Sequence, residues 1–510
     1  MKNRSLHSKI SQSLIGLIMM LLCAFVALGN DNDLLDKNFT KAEAQNDLNT
    51  YFNLIDSQHG NPYLYISRED FRKLVNQKIE ELPEQLSFLE FTNLLAELNQ
   101  QIRCGHTVAR PSKGVYEDAA QNMSFFPYPV AVIEGKLFFD FEAEELPHAS
   151  EILSINGHAS TEMLASFQAL TVTDGFIQTK LVREVETKFG YYFYLKYGAH
   201  NQFNVQYKTA SGELAETVIM ANNVQTMMVN QYYRPVFKTH ERYIHFTHLD
   251  AIDSLRTLVL TLNTFRAQPE WFYDWIMSRY DVQSKQFDFD NLVIDLRHNE
   301  GGDRRLLSIL YKLVAGKTLS DPSATSTRTL TIAEDYLQSI NGSTKPNKVE
   351  KAEDFLSEHF AVENSGAYEA NVENWYENEF KLDLDLSELN FKGQVYVLIS
   401  GKTFSAASDL ARVLGELDNV KLIGEETGGA HQARTANMLL NYTLPHSQMR
   451  LQVPVIYEEF VNANADNGFG RGTFPDHLVT QSLSDLKAHR DTVFEFTLDL
   501  IEERSAQGSN

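Results

Sequence analysis

Three short apolar runs in the C-terminal half constrain the fold most: "DNLVIDL" (290–296), "GQVYVLIS" (393–400) and "NVKLIG" (419–424). Their length and composition are typical of buried strands. Helical patterns follow the first two runs, "RRLLSILYKLV" and "SAASDLARVLGEL". This alternation predicts a layered α/β core whose ligands bind outside the carboxyl ends of the strands.

The rest of the chain divides into regions of different pattern. Residues 31–115 are rich in helix formers, with apolar residues at three- and four-residue spacing in 42–55 and 88–102, and predict a helical domain. Residues 125–240 read as a small β-domain, from "YPVAVIEGKLFFDF" and from "EILSINGHASTEML" with its Asn156-Gly157 turn. We therefore expect an α+β multidomain chain with its α/β core in residues 241–505.

An acidic insertion, residues 317–389, interrupts that core. It contains an Asn341-Gly342 turn and the segment "NWYENEF". Its length and position fit a lid or a substrate-selecting flap, and they fit a surface elaboration without function equally well.

The N-terminus predicts export. "MKNRSLHSKISQSLIGLIMMLLCAFVALGN" combines a basic start, an apolar stretch from Leu14 to Leu28, and small residues Ala27 and Gly29 at signal-peptidase spacing. We expect residues 1–29 to be a cleaved signal peptide, the mature chain to be periplasmic or extracellular, and no membrane insertion to remain. A retained single-span anchor is the alternative, although the apolar stretch is short for one.

Charge and cysteine content exclude several classes of function. The formal net charge of -23 repels phosphate backbones and anionic lipid, which argues against nucleic acid as a partner. Cys104 would be the lone cysteine after signal removal, so neither an internal disulfide nor a zinc cluster is expected. "GKT" at 401–403 is no phosphate loop, because Tyr396 stands where that loop needs glycine. No cofactor or metal is predicted.

Ser405, in "KTFSAASDL", stands where a predicted strand passes into a helix. The amides and the positive dipole end of a helix N-terminus would stabilise an oxyanion beside a nucleophilic serine. Serine is also among the best helix N-caps, and Ser408 could complete such a cap. Both interpretations fit this position.

Two further segments could join Ser405. In "DLRHNEGGDRR", Gly301 and Gly302 let the backbone turn its amides outward as an anion-binding nest, although an ordinary strand-to-helix loop has the same appearance. In "IRCGHTVAR", His106 follows a predicted helix and could accept the proton of a serine. A solvated loop histidine is the commoner case for any one of the fifteen histidines, and only the company of the other motifs favours His106 as a base.

Taken together, these segments resemble the C-terminal-processing, or tail-specific, serine peptidases, whose relatives include the tricorn protease core and the interphotoreceptor retinoid-binding protein. The similar stretches are "LVIDLRHNEGG" (292–302), "TFSAASDLA" (403–411), "LIGEETGG" (422–429) and "GTFPDHLV" (472–479). "EILSINGHASTEML" resembles the PDZ-like domain of such enzymes, and "LNQQIRCGHTV" resembles the histidine-bearing segment of the tricorn-like branch.

The resemblance implies Ser405 as the nucleophile, with oxyanion donors from Ala406 and from the Gly301-Gly302 loop. The processing branch uses a lysine base directly after the glycine turn, where this chain has Ala430. The resemblance to the tricorn-like branch then implies His106 as the base, with His431 as a less favoured substitute.

One more departure concerns the group that orients His106. The tricorn-like arrangement has a serine before the histidine, where this chain has Gly105. The orienting group is therefore unassigned, with Asp466 and Glu426 both candidates.

Three functions follow from the sequence. The first is an exported serine peptidase that cleaves polypeptides by acyl transfer. The second is a catalytically silent peptide- or ligand-binding protein on the same fold. Hydrolysis of a non-peptide ester or amide is the third, although the PDZ-like region favours a polypeptide end bound by strand addition.

Overall fold

The structure is a computed structural model that describes residues 37–111, 125–236, 247–284, 288–345, 347–364, 366–370 and 381–508. The predicted signal peptide, residues 1–29, and the segment "NWYENEF" lie outside the described residues. Among the described helices, none combines the length and the apolar character that crossing a bilayer requires.

The helices of the described ranges are α1 (Lys41–Gln58), α2 (Arg68–Glu80), α3 (Phe88–Ile102), α4 (Ser160–Gln168), α5 (Thr179–Tyr197), α6 (Val224–Tyr232), α7 (Pro269–Ser284), α8 (Arg305–Ala315), α9 (Lys348–His359), α10 (Ala406–Gly415), α11 (Leu483–Lys487) and α12 (Thr492–Gly508).

The strands of the same ranges are β1 (Asn38–Thr40), β2 (Gln85–Ser87), β3 (Val108–Arg110), β4 (Val130–Ile133), β5 (Lys136–Phe139), β6 (Glu151–Ile155), β7 (His158–Ala159), β8 (Gln202–Lys208), β9 (Leu214–Met220), β10 (Thr247–Ile252), β11 (Thr257–Leu262), β12 (Asn291–Asp295), β13 (Ser323–Thr327), β14 (Leu337–Ile340), β15 (Phe360–Asn364), β16 (Ala367–Ala370), β17 (Gln394–Ile399), β18 (Val420–Gly424), β19 (Ala433–Thr443), β20 (Arg450–Phe460) and β21 (His477–Leu478).

The core is a six-stranded sheet in the order β10-β11-β12-β17-β18-β21. All neighbours from β11 to β21 run parallel, and β10 pairs antiparallel with β11 at the edge. Every residue of β11 and β12 is buried, as strands covered on both faces require. The three apolar runs of the sequence are thus strands β12, β17 and β18, as predicted, and the structure places them next to one another.

Helices cover both faces of this sheet. Side chains of α7, α8 and α10 pack on one face, with Leu306, Leu310 and Leu410 completely buried. On the other face α12 packs Val493, Phe494 and Ile501 against alternate strand residues. The mixed α/β multidomain architecture predicted from the sequence is therefore confirmed.

A second sheet of seven strands has the order β14-β19-β20-β13-β16-β15, with β3 paired to β20. Its strands β13 to β16 come from the predicted insertion, 317–389, and join the long hairpin β19–β20. The helices α1, α2 and α3 share one apolar core with this sheet. The described part of the insertion is thus a structural piece of this layer, and its role as a lid or substrate-selecting flap stays a prediction.

The described part of the predicted β-domain, residues 125–236, forms its own sheet, β4-β5-β6-β8-β9, with β7 on β6 and with α4 and α5 packed against it. Glu134 and Gly135 both have positive φ in the tight turn between β4 and β5. The PDZ-like identity of this domain, and the domain boundaries drawn from the sequence, stay predictions.

Candidate active site

Loops that follow three adjacent strands meet at the carboxyl edge of the core sheet. The Phe404 amide, after β17, donates to the Asn299 carbonyl, after β12, at 3.0 Å. The Phe265 amide, after β11, donates to the Gly301 carbonyl at 3.0 Å. These backbone bonds fix the position of Ser405 relative to the Gly301-Gly302 turn.

Ser405 lies directly before α10 in an unusual backbone conformation, with φ 54° and ψ -129°. A residue other than glycine in such a region costs about 1–3 kcal/mol and persists only where its surroundings impose it. The Ser405 side chain makes no capping hydrogen bond to the helix. Instead, the Ser408 hydroxyl donates to the Ser405 carbonyl at 2.7 Å. The capping interpretation therefore does not describe the Ser405 hydroxyl.

His106 reaches this edge from the N-terminal region. Helix α3 ends at Ile102, Arg103 adopts a left-handed conformation, and a turn closes with the Thr107 amide donating to the Cys104 carbonyl at 3.0 Å. Strand β3 then pairs with β20. As a result, His106 Nε2 lies 3.1 Å from Ser405 Oγ, which is hydrogen-bonding distance.

Four contacts hold the His106 segment. The Gly105 amide donates to Asp174 Oδ1 at 2.7 Å, and Gln452 Nε2 donates to the His106 carbonyl at 2.9 Å. His59 Nε2 lies 2.8 Å from Thr107 Oγ1. The Phe404 ring lies against the imidazole, with centroids 4.7 Å apart. The imidazole is thus fixed on its backbone side and on one face.

Phe404 also explains why glycine precedes the histidine. A Cβ at Gly105 would lie 2.7 Å from the Phe404 ring, closer than real Cβ atoms approach. The serine found here in the tricorn-like arrangement would therefore require this ring to move. Gly105 thus allows the close approach of the Phe404 ring to the His106 segment.

Burial dominates the electrostatics of His106. It lowers the pKa of the imidazole to about 3, with further lowering from the Arg434 and Lys180 charges and an opposing contribution from Glu458. His106 is therefore neutral at neutral pH, the form that can accept a proton from a hydroxyl.

A buried ion-pair network lies below the site and includes Glu458. Arg434 contacts Glu458 at 2.8 Å and Asp409 at 2.6 Å, and Arg304 contacts Glu458 at 2.8 Å. Burial alone would raise the pKa of Glu458, but the two arginines outweigh it and lower the pKa. A charged Glu458 therefore acts on His106, whose buried Nδ1 has no hydrogen-bond partner among the described residues.

The backbone amides around Ser405 differ in availability. The Gly301 amide donates to Asn299 Oδ1 at 2.8 Å, so it is engaged within its own loop. The Ala406 and Gly302 amides form no hydrogen bond in the described part of the chain. Of the three oxyanion donors implied by the resemblance, the Ala406 and Gly302 amides are therefore available to donate a hydrogen bond to a ligand.

The alternative candidates lie in other surroundings. Both ring nitrogens of His431 are engaged, Nδ1 with Thr473 Oγ1 at 2.9 Å and Nε2 with the Asn464 amide at 3.1 Å. The Glu426 carboxylate binds the Arg471 guanidinium at 2.8 and 2.7 Å. Asp466 sits in an exposed single-turn helix. No contact of these side chains with His106 occurs among the described residues.

A cleft of about 590 Å³ opens over His106 and Ser405. Lys180, on α5, extends along it with its ammonium 4.0 Å from the centre of the Phe404 ring. Strand β19 contributes a bulge to the wall, where Asn437 and Met438 both have positive φ. The volume of the cleft lies within the range of about 300–1,000 Å³ that is typical of ligand-binding pockets.

One side-chain cluster next to the site has the composition of a metal site. Donor atoms of Cys104, His106 and Asp174 lie within 4.8 Å of one another. Burial raises the pKa of the Cys104 thiol to about 12, and the Asp174 oxygens accept the Gly105 and Ala430 amides at 2.7 and 3.3 Å. These bonds favour a role in holding the His106 segment.

Sequence reasoning missed Asp174, Gln452 and Glu458. Asp174 lies 69 positions from its partner Gly105, and Gln452 lies 346 positions from His106. Glu458 lies 154 positions from its partner Arg304. Neither spacing nor composition identifies such long-range partners, and only Glu458, inside the apolar strand "LQVPVIYEEF", carries a signal as an acidic residue in a buried pattern.

Comparison with known proteins agrees with this architecture. The sequence profile of Peptidase family S41 matches residues 256–476. Mature CPAF complexed with lactacystin is 13% identical over 92% of this chain and 98% of its own, with a TM-score of 0.61. Mature CPAF is 13% identical over 92% of this chain and 97% of its own, with a TM-score of 0.60. These values show a shared fold.

The photosystem II D1 C-terminal processing protease is 13% identical over 86% of this chain and 93% of its own, with a TM-score of 0.39. The S41 match covers the strands that carry Gly301, Gly302 and Ser405. Residues 256–476, the core of the chain, thus match Peptidase family S41, the tail-specific serine peptidase family that its sequence motifs resemble.

Proposed function

We propose that the chain is an exported serine peptidase that uses Ser405 as nucleophile and His106 as general base. The observation that carries this proposal is the 3.1 Å distance between His106 Nε2 and Ser405 Oγ, across 299 positions of sequence. Export is inferred from residues 1–29 of the sequence, and polypeptide substrates follow from the family.

The reaction starts with attack on a peptide carbonyl. Ser405 Oγ forms a bond to the carbonyl carbon while its proton passes to His106 Nε2. The neutral imidazole must carry its other proton on Nδ1 for this transfer. The negative charge of Glu458 favours the imidazolium that results. A positioned base of this kind contributes about 10²- to 10⁴-fold to the rate.

The tetrahedral intermediate needs stabilisation of its oxyanion. We assign this role to the Ala406 and Gly302 amides, which make no hydrogen bond among the described residues. Ala406 directly follows Ser405, and Gly301, the neighbour of Gly302, packs against Ser405. The N-terminus of α10 adds its dipole in the same direction. Loss of one such donor costs about 10²- to 10³-fold in rate.

Collapse of the intermediate completes acyl transfer. The C–N bond breaks, the amine leaves with the proton from His106, and the acyl group stays on Ser405 Oγ. Water then attacks the ester with His106 again as base, which releases the acid and regenerates the serine.

The test is covalent labelling by a fluorophosphonate, which reacts with activated serines. The wild-type protein should label, and Ser405→Ala should not. Ser408→Ala is the matched control, because that hydroxyl is three residues away and donates to a carbonyl. Labelling of Ser405→Ala at the wild-type rate would refute the assignment. Peptide binding without labelling or cleavage would support a silent binding protein instead.

A further inference from the structure

Arg266 lies four residues beyond the end of β11, on the wall of the cleft that contains His106 and Ser405. Its backbone packs against the Gly302 turn, and its amide donates to Thr264 Oγ1 at 3.1 Å. The side chain is exposed, and within the described ranges its guanidinium makes no hydrogen bond or ion pair. An unused guanidinium thus borders the candidate oxyanion site.

The carboxylates that line the same cleft are already neutralised. Glu184 lies between Lys188 and Lys180, at 2.6 and 3.6 Å. Glu300 lies 3.7 Å from Lys402. Each acidic group of the lining therefore has a lysine partner.

The lining consequently has an excess of positive charge, opposite in sign to the whole chain. Two carboxylates face the cleft together with four basic side chains, Arg110, Lys180, Lys188 and Arg266. The formal net charge of the chain is -23. Because charges of the distant surface are screened beyond about 8 Å at physiological salt, the local excess decides what binds at short range.

We propose that the cleft prefers polypeptides with a carboxylate close to the scissile bond, and that Arg266 binds this carboxylate. This inference rests on the proposed function and names its substrate class. A guanidinium matches a carboxylate with two parallel hydrogen bonds, which a lysine cannot do. The carboxylate has two sources, an Asp or Glu side chain or the C-terminus of the polypeptide.

The test uses quenched fluorescent peptides of one sequence with Glu, Gln or Lys at each position around the cleavage site, each with a free or amidated C-terminus. Wild-type protein should cleave the matching acidic peptide about 3- to 10-fold faster in kcat/KM than its neutral counterpart, the range of a partly exposed charged hydrogen bond. A gain from Glu at one position identifies a side chain, and a gain that needs the free C-terminus identifies the chain end.

Variants then assign the effect to Arg266. Arg266→Gln should remove the preference while cleavage of the neutral peptide persists, Arg266→Lys should restore part of it, and Arg266→Glu should invert it in favour of Lys peptides. If Arg266 had only a structural role, Arg266→Gln would lower kcat/KM for the Glu, Gln and Lys peptides together. Arg279→Glu is the matched control, because it makes the same charge change at an exposed position of α7, outside the cleft lining.

Failure of this inference is distinguishable from failure of the proposed function. Equal cleavage of Glu, Gln and Lys peptides would overturn the carboxylate preference and leave the peptidase intact. Binding of the same peptides to Ser405→Ala protein, measured by fluorescence anisotropy, needs no catalysis. A carboxylate preference in binding without cleavage by the wild type would contradict only the catalytic proposal.

Discussion

Gly301→Ala tests how tightly the glycine turn is fitted to the serine. Gly301 has a φ of 92°, where residues with a side chain are strained. A Cβ on it would lie 2.8 Å from the Phe404 carbonyl oxygen and from Ser405 Cβ, and 2.9 Å from the Ala406 nitrogen. All these atoms belong to the backbone or Cβ positions of the active-site turn, so none can rotate away.

The expected loss of folding free energy in Gly301→Ala has two parts. The backbone conformation alone costs about 1–2 kcal/mol for an L-residue. Forced displacement of well-packed neighbours adds about 1–3 kcal/mol. Gly135→Ala is the matched control, because Gly135 also has a positive φ, 75°, and a Cβ there meets no atom within 4 Å. It should show only the conformational cost.

The assay combines thermal unfolding with the second-order rate of fluorophosphonate labelling. Gly301→Ala should lower the labelling rate by about 10²- to 10³-fold, as for a lost oxyanion donor, because the turn must move away from the Ala406 amide. Gly135→Ala should label at the wild-type rate. Wild-type labelling by Gly301→Ala would refute the claim that this turn and the serine form one site.

Two further variants test the environment of the histidine segment. Burial lowers the pKa of His59 to about 3, so the contribution of the neutral imidazole to stability is fully present above pH 6.5 and is lost as the pH falls toward 3. In urea denaturation, His59→Gln should therefore reduce the slope of the unfolding free energy against pH by about 1.4 kcal/mol per pH unit across that window. An unchanged slope would contradict this expectation. Asp174→Ala leaves the Gly105 amide and a second buried amide without acceptors and should destabilise the fold by about 2–6 kcal/mol, whereas Asp174→Asn keeps a carbonyl acceptor and should cost less; equal losses would show that these bonds contribute little.

The core was predictable because its signals are local. The runs 290–296, 393–400 and 419–424 form the strands Asn291–Asp295, Gln394–Ile399 and Val420–Gly424, with a difference of at most one residue at each end. Helix 88–102 has the predicted bounds, and its start is a capping box between Ser87 and Glu90. Burial on both faces, or on one helical stripe, leaves such patterns in the sequence itself.

The site was predictable only through the family resemblance. Nothing local indicates that β3, three residues long, pairs with β20 and so brings His106 toward Ser405. Nothing local indicates that Asn299 occupies the Gly301 amide, which leaves Gly302 as the available donor of that turn. Such relations depend on contacts across hundreds of positions, and a single sequence does not record them.

The direct test of His106 as the base for Ser405 is the pH dependence of the fluorophosphonate labelling rate between pH 5 and 8, for the wild type and for His106→Gln. With the His106 pKa at about 3, about 99% of the base is neutral at pH 5, whereas an ordinary histidine would be only about 3% neutral. A buried neutral His106 base should give a nearly level wild-type labelling rate across this range and a loss of about 10²- to 10⁴-fold in His106→Gln. A wild-type rate that falls about thirtyfold toward pH 5 would contradict the buried neutral base, and a His106→Gln rate equal to wild type would contradict the role of His106 itself.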